Sequence, residues 1–577
     1  MKKAMVNPYL PLWEHIPDGE PHVFGDRLYL FGSHDKFGGR KYCMKDYVCW
    51  SVPVDDLSDW RREGVIYRKK QDPKSRRFSK ELWAPDVCRG NDGRYYLYYC
   101  TAWAPRIGVA VCDTPAGQYQ FYGYVCHEDG SEYGSLPGET AFDPGVLHDD
   151  DGKTWLYTAF STNDAGLIRI IKQMNGVSLY GTGNQVLELA DDMRTVRSVK
   201  PLIPGIENAA GTGFEGHEFY EASSMRKFNG KYYFIYSSFL SHELAYAVSD
   251  APDQGFTFGG TLHSNGNIGI GGQKKATYYW GNNHGSVERV GEKYYLFGHR
   301  QTNYHESSRQ GVAEEIQMDE TGHFLPAEMT SCGLNGGPLP AEGSYCTAIA
   351  CVLYRGEGAP KITATSGKKR DYPMITQLLA DGIEKESAYI ANIRDDTKIG
   401  FKYFRFSREA AAISVEIRGK AEGELLVYQG EKQVGTCRSA LPGGGDPFRP
   451  HLLFQPARPL SISGSGGKGT LTGEQWNFDK GASGGMGCGG PISPDSVLHM
   501  LHRVLKRAGL PKVRFHDLRH TFSVLALQNG VDVKALSAML GHYSAGFTLD
   551  TYAHVTTSAQ REAARTMGAV LSGAVQP

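Results

Sequence analysis

The sequence predicts an all-β protein: a five-bladed β-propeller, then a β-sandwich, then a small α-helical C-terminal appendage. Three observations carry this. A short motif recurs five times in roughly the first 300 residues, short alternating segments follow it, and a glycine-rich stretch precedes a tail of helical period. Gly (71) and Tyr (33) are both abundant, which suits many short strands joined by tight turns better than a helical protein.

The recurring motif begins with an acidic residue or His. It runs through a short apolar strand and a Gly/Asp/Asn turn, and returns as an aromatic strand. Its copies are DGEPHVFGDRLYLFGS from Asp18, DVCRGNDGRYYLYYC from Asp86, DPGVLHDDDGKTWLYTAF from Asp143, EASSMRKFNGKYYFIYSS from Glu221 and HGSVERVGEKYYLFGH from His284. The turn residues are hairpin formers. Successive openings lie roughly 57 to 78 residues apart, enough for one four-stranded blade each. Five blades closed into a ring leave no exposed sheet edge.

The first strand of each propeller blade lines the central axis, so equivalent positions of the five copies face one funnel. Asp18, Asp86, Asp143, Glu221 and His284 are therefore expected to converge. Carboxylates held close raise one another's pKa, and such a cluster is costly unless it is used. Paired carboxylates across a cavity suit glycoside hydrolysis. One is protonated and donates to the leaving oxygen, and the other is ionised and activates water.

The segments NPYLPLWEHIPDGEPHVFGDRLYLFGSHD, ELWAPDV, FDPGVLHDDDGKTWLY, FYEASSMRKFNGKYYFIYSS and NNHGSVERVGEKYYLFGH resemble glycoside hydrolase family 43 over roughly residues 7–320. The resemblance implies an inverting enzyme that releases arabinofuranosyl or xylosyl units from plant polysaccharides. It also implies Asp18 as general base, Asp143 as pKa modulator and Glu221 as general acid. The expected substrates are arabinose- or xylose-containing glycans, and no cofactor is required for the chemistry. The base usually precedes Pro, whereas Asp18 precedes Gly19, and Glu20 before Pro21 is an alternative. The step from Asp18 to the turn residue Gly25 favours Asp18. The acid usually precedes Gly-Pro, whereas Glu221 precedes Ala222-Ser223, with Glu215 and Glu218 nearby.

Trp83 in LWAP is a candidate to stack on a sugar ring. His34 and Asp35 after the first aromatic strand, and Arg300 after the fifth, are candidates to bind hydroxyls, with Asp86 and His284 at the axis. The resemblance places His284 beside a bound metal and so implies a structural calcium ion near the axis.

Residues 1–323 are assigned to the propeller and 324–440 to the sandwich, where TAIACVLY, GFKYFRF and AISVEIRG read as strands. Residues 441–492, with PGGGDPFRP and SISGSGGKGT, have linker composition. Residues 493–577 are the helical appendage. Within it, RFHDLRHTFSVLALQNGVDVKALSAMLGHYSAGFTLDTYAHV resembles the C-terminal piece of a tyrosine recombinase (phage-type integrase). His516, Arg519, His542 and Tyr552 match that family's phosphate-binding and nucleophilic residues. The family's first Arg and its Lys hairpin have no counterpart upstream, so recombinase activity and a nucleic-acid partner are not expected.

A formal net charge of -1 gives no general attraction for polyanions, and no apolar run approaches the ~18 residues that span a bilayer. No apolar leader segment follows the N-terminal lysines. The 11 cysteines are scattered and odd in number, which favours reduced thiols and a cytoplasmic location. Three other functions fit parts of the pattern: an endo-arabinanase, a carbohydrate-binding propeller without catalysis, and a DNA-processing fusion.

Overall fold

The computed structural model describes residues 5–75, 80–176, 178–363, 372–406, 412–415, 422–440, 451–455 and 476–481, and single positions between 523 and 536. The chain divides into two units, Met1–Gly487 and Cys488–Pro577. In the second unit Ser523, Ala526, Leu527, Val533, Lys534 and Leu536 are helical, and Leu536 is buried against Ala526 and Leu527. His516, Arg519, His542 and Tyr552 lie outside the described residues.

The first unit contains the five blades. Blade 1 holds β1 (Glu20–Phe24), β2 (Arg27–Phe31), β3 (Tyr47–Pro53) and β4 (Arg61–Tyr67). Blade 2 holds β5 (Asp86–Arg89), β6 (Tyr95–Cys100), β7 (Ile107–Cys112) and β8 (Gln120–Tyr124). Blade 3 holds β9 (Gly145–His148), β10 (Thr154–Thr158), β11 (Gln185–Leu189) and β12 (Val196–Pro201). Blade 4 holds β13 (Phe219–Phe228), β14 (Lys231–Ser238), β15 (Glu243–Ser249) and β16 (Thr257–Ser264). Blade 5 has three strands, β17 (Ser286–Val290), β18 (Lys293–Thr302) and β19 (His305–Ile316).

Each blade is an antiparallel meander, and the innermost strands β1, β5, β9, β13 and β17 touch in that order, with β17 returning to β1. Both faces of a blade meet a neighbour. The second strands of blades 2 to 5 are therefore buried along nearly their whole length rather than alternating, as in YYLYYC of β6. Tyr47 and Tyr67 pack on Leu97 and Tyr99 between blades 1 and 2. Trp155 and Tyr157 pack on Phe234 and Ala245 between blades 3 and 4. Leu28 and Trp50 meet Tyr295 and Phe297 where blade 5 closes on blade 1. Each such buried side chain contributes about 1.5–3 kcal/mol relative to exposure.

The sandwich extends further along the chain than its composition suggests. Strands Val352–Arg355, Thr397–Phe401, Trp476–Gly481, Glu422–Gln429 and Lys432–Ala440 form one sheet in that spatial order. Strands Gly343–Cys346, His451–Gln455 and Ala412–Val415 form another. Two strands thus fall inside the segment 441–492 expected to be linker. HLLFQ and WNFDKG are short apolar islands among glycines, and pairing on both sides fixes them despite weak flanking composition. The sandwich is packed on the propeller through a common core. Leu12, Tyr278, Tyr279 and Tyr304 meet Leu339, Ile349, Leu353, Ile375 and Phe401 there.

Candidate active site

The axial residues form two layers. Asp18, Asp143 and His284 each lie two positions before their blade's inner strand, and Glu221 lies at the irregular start of β13. One layer deeper sit Glu20 and Asp86, the first residues of β1 and β5, with Ser224 and Ser286. Asp86 therefore belongs beneath the upper cluster rather than in it, contrary to the sequence expectation. The reason is turn length. Gly25 opens a two-residue turn between β1 and β2, whereas Gly93 comes late in the five-residue turn 90–94. Equal steps to the turn glycine therefore reach different layers. Asp86 is fully buried and accepts from His22 Nε2 at 2.6 Å and from the Val87 and Val146 amides at 2.7 Å. It ties three blades together.

Asp18 and Asp143 both have left-handed backbone, with φ of 55° and 40°. A non-glycine residue holds that conformation only where its surroundings impose it, and here both carboxyls are aimed at the axis. His284 Nδ1 lies 3.9 Å from Asp18 Oδ1 and 3.7 Å from Asp143 Oδ2, so one imidazole edge faces both.

Asp18 is held by a partner that the sequence did not point to. Arg309 of β19 donates from Nη1 to Asp18 Oδ1 at 2.8 Å, while its Nε and Nη2 grip Asp35 at 2.8 and 3.1 Å. Ser33 donates to the other Asp18 oxygen, and Tyr42 stacks its ring 4.8 Å from the Arg309 guanidinium. Burial alone would push the Asp18 carboxyl up. The Arg309 charge, backed by His299 and His284, instead holds it well below the usual range. The available signal was an arginine among small residues, SSRQG, in an otherwise buried strand.

Asp143 and Glu221 behave in the opposite way. Burial pushes Glu221 up to about 8, reinforced by the Asp143 charge. Burial also pushes Asp143 up to about 7, reinforced by Asp18 and opposed by His284. The two titrate as a pair that shares protons near neutrality. Burial disfavours charge on His284, but Glu20, Asp18 and Asp143 raise it to about 9, so it is an imidazolium. The funnel thus offers one firmly ionised carboxylate and a second carboxyl that keeps a proton at neutral pH. That pair can deliver base and acid to opposite sides of one bond.

Glu20 is excluded as the base by its partners. Its Oε2 accepts from Arg226 at 2.8 Å and Ser224 at 2.9 Å in the deeper layer. Glu215 and Glu218 accept from the Gly211 and Gly216 amides in the turn before β13, away from the axial cluster. Among the described residues, Glu20, His22 and Asp86 place potential ligand atoms within 4.8 Å of one another. Glu20 Oε1 is buried without a hydrogen-bond partner. A cation there would take Glu20 Oε1 and would need His22 Nε2 to present its lone pair in place of its hydrogen bond to Asp86, while His284 Nε2 faces Glu20 Oε1 from 3.8 Å.

Three further expectations change. His34 is buried, with Nε2 on Glu14 at 2.9 Å and Nδ1 on the Asp46 carbonyl at 3.0 Å, so it braces blade 1. Asp35 is fully buried on Arg309 and the Cys43 amide and positions the guanidinium rather than a sugar. Arg300 is buried against the sandwich and donates to the Ala348 and Ala350 carbonyls and to Gln310. Each had been placed by proximity in sequence to a strand end, which does not fix the direction of the side chain. Arg300→Met leaves those acceptors unpaired at about 1–3 kcal/mol each. A lower Tm with kcat close to wild type is the expected result by calorimetry and assay. Trp83 is half-buried, and its ring meets Trp103 at 4.9 Å and Phe142 at 5.1 Å, with Tyr220 in the same cluster.

Comparison with known proteins bears directly on this funnel. Residues 15–324 match the family described as Glycosyl hydrolases family 43. The chain belongs to that family. As a family 43 glycoside hydrolase it is 45% identical over 432 residues to a xylosidase/arabinosidase of Thermoclostridium stercorarium, spanning 74% of this chain and 88% of the relative. That alignment is long enough to take in the sandwich as well as the propeller. Among solved structures, RS223 β-xylosidase aligns with a TM-score of 0.43 at 25% identity over 57% of this chain and 99% of that one. Residues 480–559 of the family 43 chain match the Phage integrase family. A XerC-like tyrosine recombinase of Caldanaerobacter subterraneus is 33% identical over 79 residues there, 14% of this chain and 20% of that protein.

Proposed function

We propose that this family 43 enzyme is an inverting, exo-acting hydrolase of α-L-arabinofuranosyl and β-xylosyl linkages in hemicellulose-derived glycans. The opposed protonation of Asp18 and Glu221 in one funnel carries this reading. Asp18 takes a proton from water as the water attacks the anomeric carbon. Glu221 gives its proton to the departing glycosidic oxygen as that bond breaks. Asp143 keeps the Glu221 proton bound until the leaving oxygen takes it. Arg309 and Ser33 aim Asp18, and the Trp83–Trp103–Tyr220 wall offers an apolar face to the sugar ring. The relationship to a xylosidase/arabinosidase supports both sugars.

Proton NMR during hydrolysis of 4-nitrophenyl β-xyloside tests the proposal. The first-formed xylose should be the α-anomer, and a β-anomer would overturn inversion. The kcat/KM should fall as pH rises through about 8, where Glu221 loses its proton. A pH profile on an unactivated xylobiose substrate checks this.

The proposal includes a structural cation against Glu20 Oε1, His22 and Asp86. Bound, it would add positive charge beneath the upper carboxylates. Calcium added after chelator treatment should raise Tm by a few degrees, and an unchanged Tm would remove the cation from the account. Nucleic acid has no part in this reaction.

A further inference from the structure

The sandwich sends a strap back over the propeller. Residues 353–362 run beside 276–280: the Leu353 amide donates to the Thr277 carbonyl at 2.8 Å, Ala359 to Ala276 at 2.7 Å and Ile362 to Trp280 at 2.6 Å. Lys361 bridges to Trp280 in parallel fashion. Its Nζ lies 5.0 Å from the centre of the Trp280 ring and donates to Ser241 Oγ at 2.7 Å. The ring is held from another side by His242, 5.2 Å away and edge-on. The His242 carbonyl in turn accepts from Asn283, the neighbour of His284, at 2.9 Å. An exposed ammonium is thereby fixed by both modules a few residues from the axial histidine.

Lys361 feels the charges of Glu306, the second residue of β19, and of Glu221. Glu306 bonds Tyr42, whose ring stacks on Arg309, the partner of Asp18. Tyr42 and Lys361 thus both lie within charge range of Glu306 and of Glu221.

We propose that Lys361 is a substrate-positioning residue contributed by the sandwich, which with Glu306 binds hydroxyls of the sugar on the leaving-group side of the scissile bond. The inference rests on the reading of Glu221 as the acid. An ammonium has three donors and a carboxylate is acceptor-only, so the pair suits the adjacent hydroxyls of a pentose unit. An aryl leaving group offers neither.

Lys361→Met tests this in the full-length enzyme, with β-1,4-xylotriose and 4-nitrophenyl β-xyloside compared. The kcat/KM for xylotriose should fall about tenfold more than that for the aryl glycoside, the loss of one charged hydrogen bond. Lys361→Arg should restore most of it. A second readout is electrostatic. Asp143, Asp18, His284, Arg309, Tyr42 and Tyr220 also interact with Glu221, and Glu306 with Tyr42 and Tyr220. Removing one cation from that set lets the Glu221 proton bind more tightly. The alkaline limb should therefore move up by a few tenths of a pH unit. Equal loss on both substrates with an unmoved limb would mean a structural role only, and no loss on either would also overturn the proposal. Glu221→Gln on the same substrates separates the two levels. If it retains wild-type turnover, the reading of the site fails. If it is strongly slowed on xylotriose while Lys361→Met matches wild type, only the positioning role fails.

Discussion

Glu221→Gln is expected to slow hydrolysis of xylobiose by about 10³-fold, within the range of a lost general acid. Gln fills the same space and accepts the same neighbours, so substrate binding should persist. The loss should depend on the leaving group. A 4-nitrophenolate departs with little protonation, and its release should slow far less than that of a sugar alkoxide. Steady-state rates over a series of aryl xylosides would show this as a steep dependence on leaving-group pKa that wild type lacks. The alkaline limb near pH 8 should also vanish, because the group whose burial sets it is gone. Wild-type turnover of xylobiose would refute the acid role.

Arg309→Met is the second large effect. The guanidinium is buried between Asp18 and Asp35, and its removal strands two buried carboxylates. Breaking a buried ion pair by removing one partner costs about 3–5 kcal/mol, so Tm should fall sharply. The chemical consequence is separate. Asp18 sits below its ordinary pKa because the Arg309 charge overcomes burial. Without that charge the carboxyl binds a proton more readily, and the acidic limb of kcat/KM should move upward. Arg309→Lys keeps the charge but loses the planar fork that reaches both carboxylates. It should retain more of the pH profile than of the rate. An acidic limb unmoved in Arg309→Met would show that the base is tuned by something else.

Much of this architecture was legible because repetition is legible. Five copies of one hairpin, each opening on a titratable residue, are enough to predict a ring and a converging axis. His284 lies within 4 Å of both Asp18 and Asp143, and Glu221 feels the charges of all three. What the sequence could not supply is depth along the axis. Asp86 shares the spacing of Asp18 but sits one layer lower, because its turn is three residues longer. Side-chain direction was equally hidden. His34, Asp35 and Arg300 occupy expected strand ends yet point into protein, and each is satisfied by a partner more than nine residues away in the chain. Arg309 escaped notice because its meaning lies in contacts with blade 1, some 270 residues earlier. The linker expectation failed where glycine composition outweighed two short apolar islands that only sheet pairing makes intelligible.

The Asp18–Arg309–Asp35 clasp joins the first blade to the last, at the seam where the circle closes. On the proposed reading, the base Asp18 therefore acquires its guanidinium partner only when blade 5 is closed on blade 1. A chain whose fifth blade has come away would keep Asp143 and Glu221 on blades 3 and 4 but lose the Arg309 charge that holds Asp18 ionised. Hydrolytic activity thus reports completion of the circle rather than its content of native strands. Damage that loosens the seam should silence the enzyme before the bulk of its structure is lost.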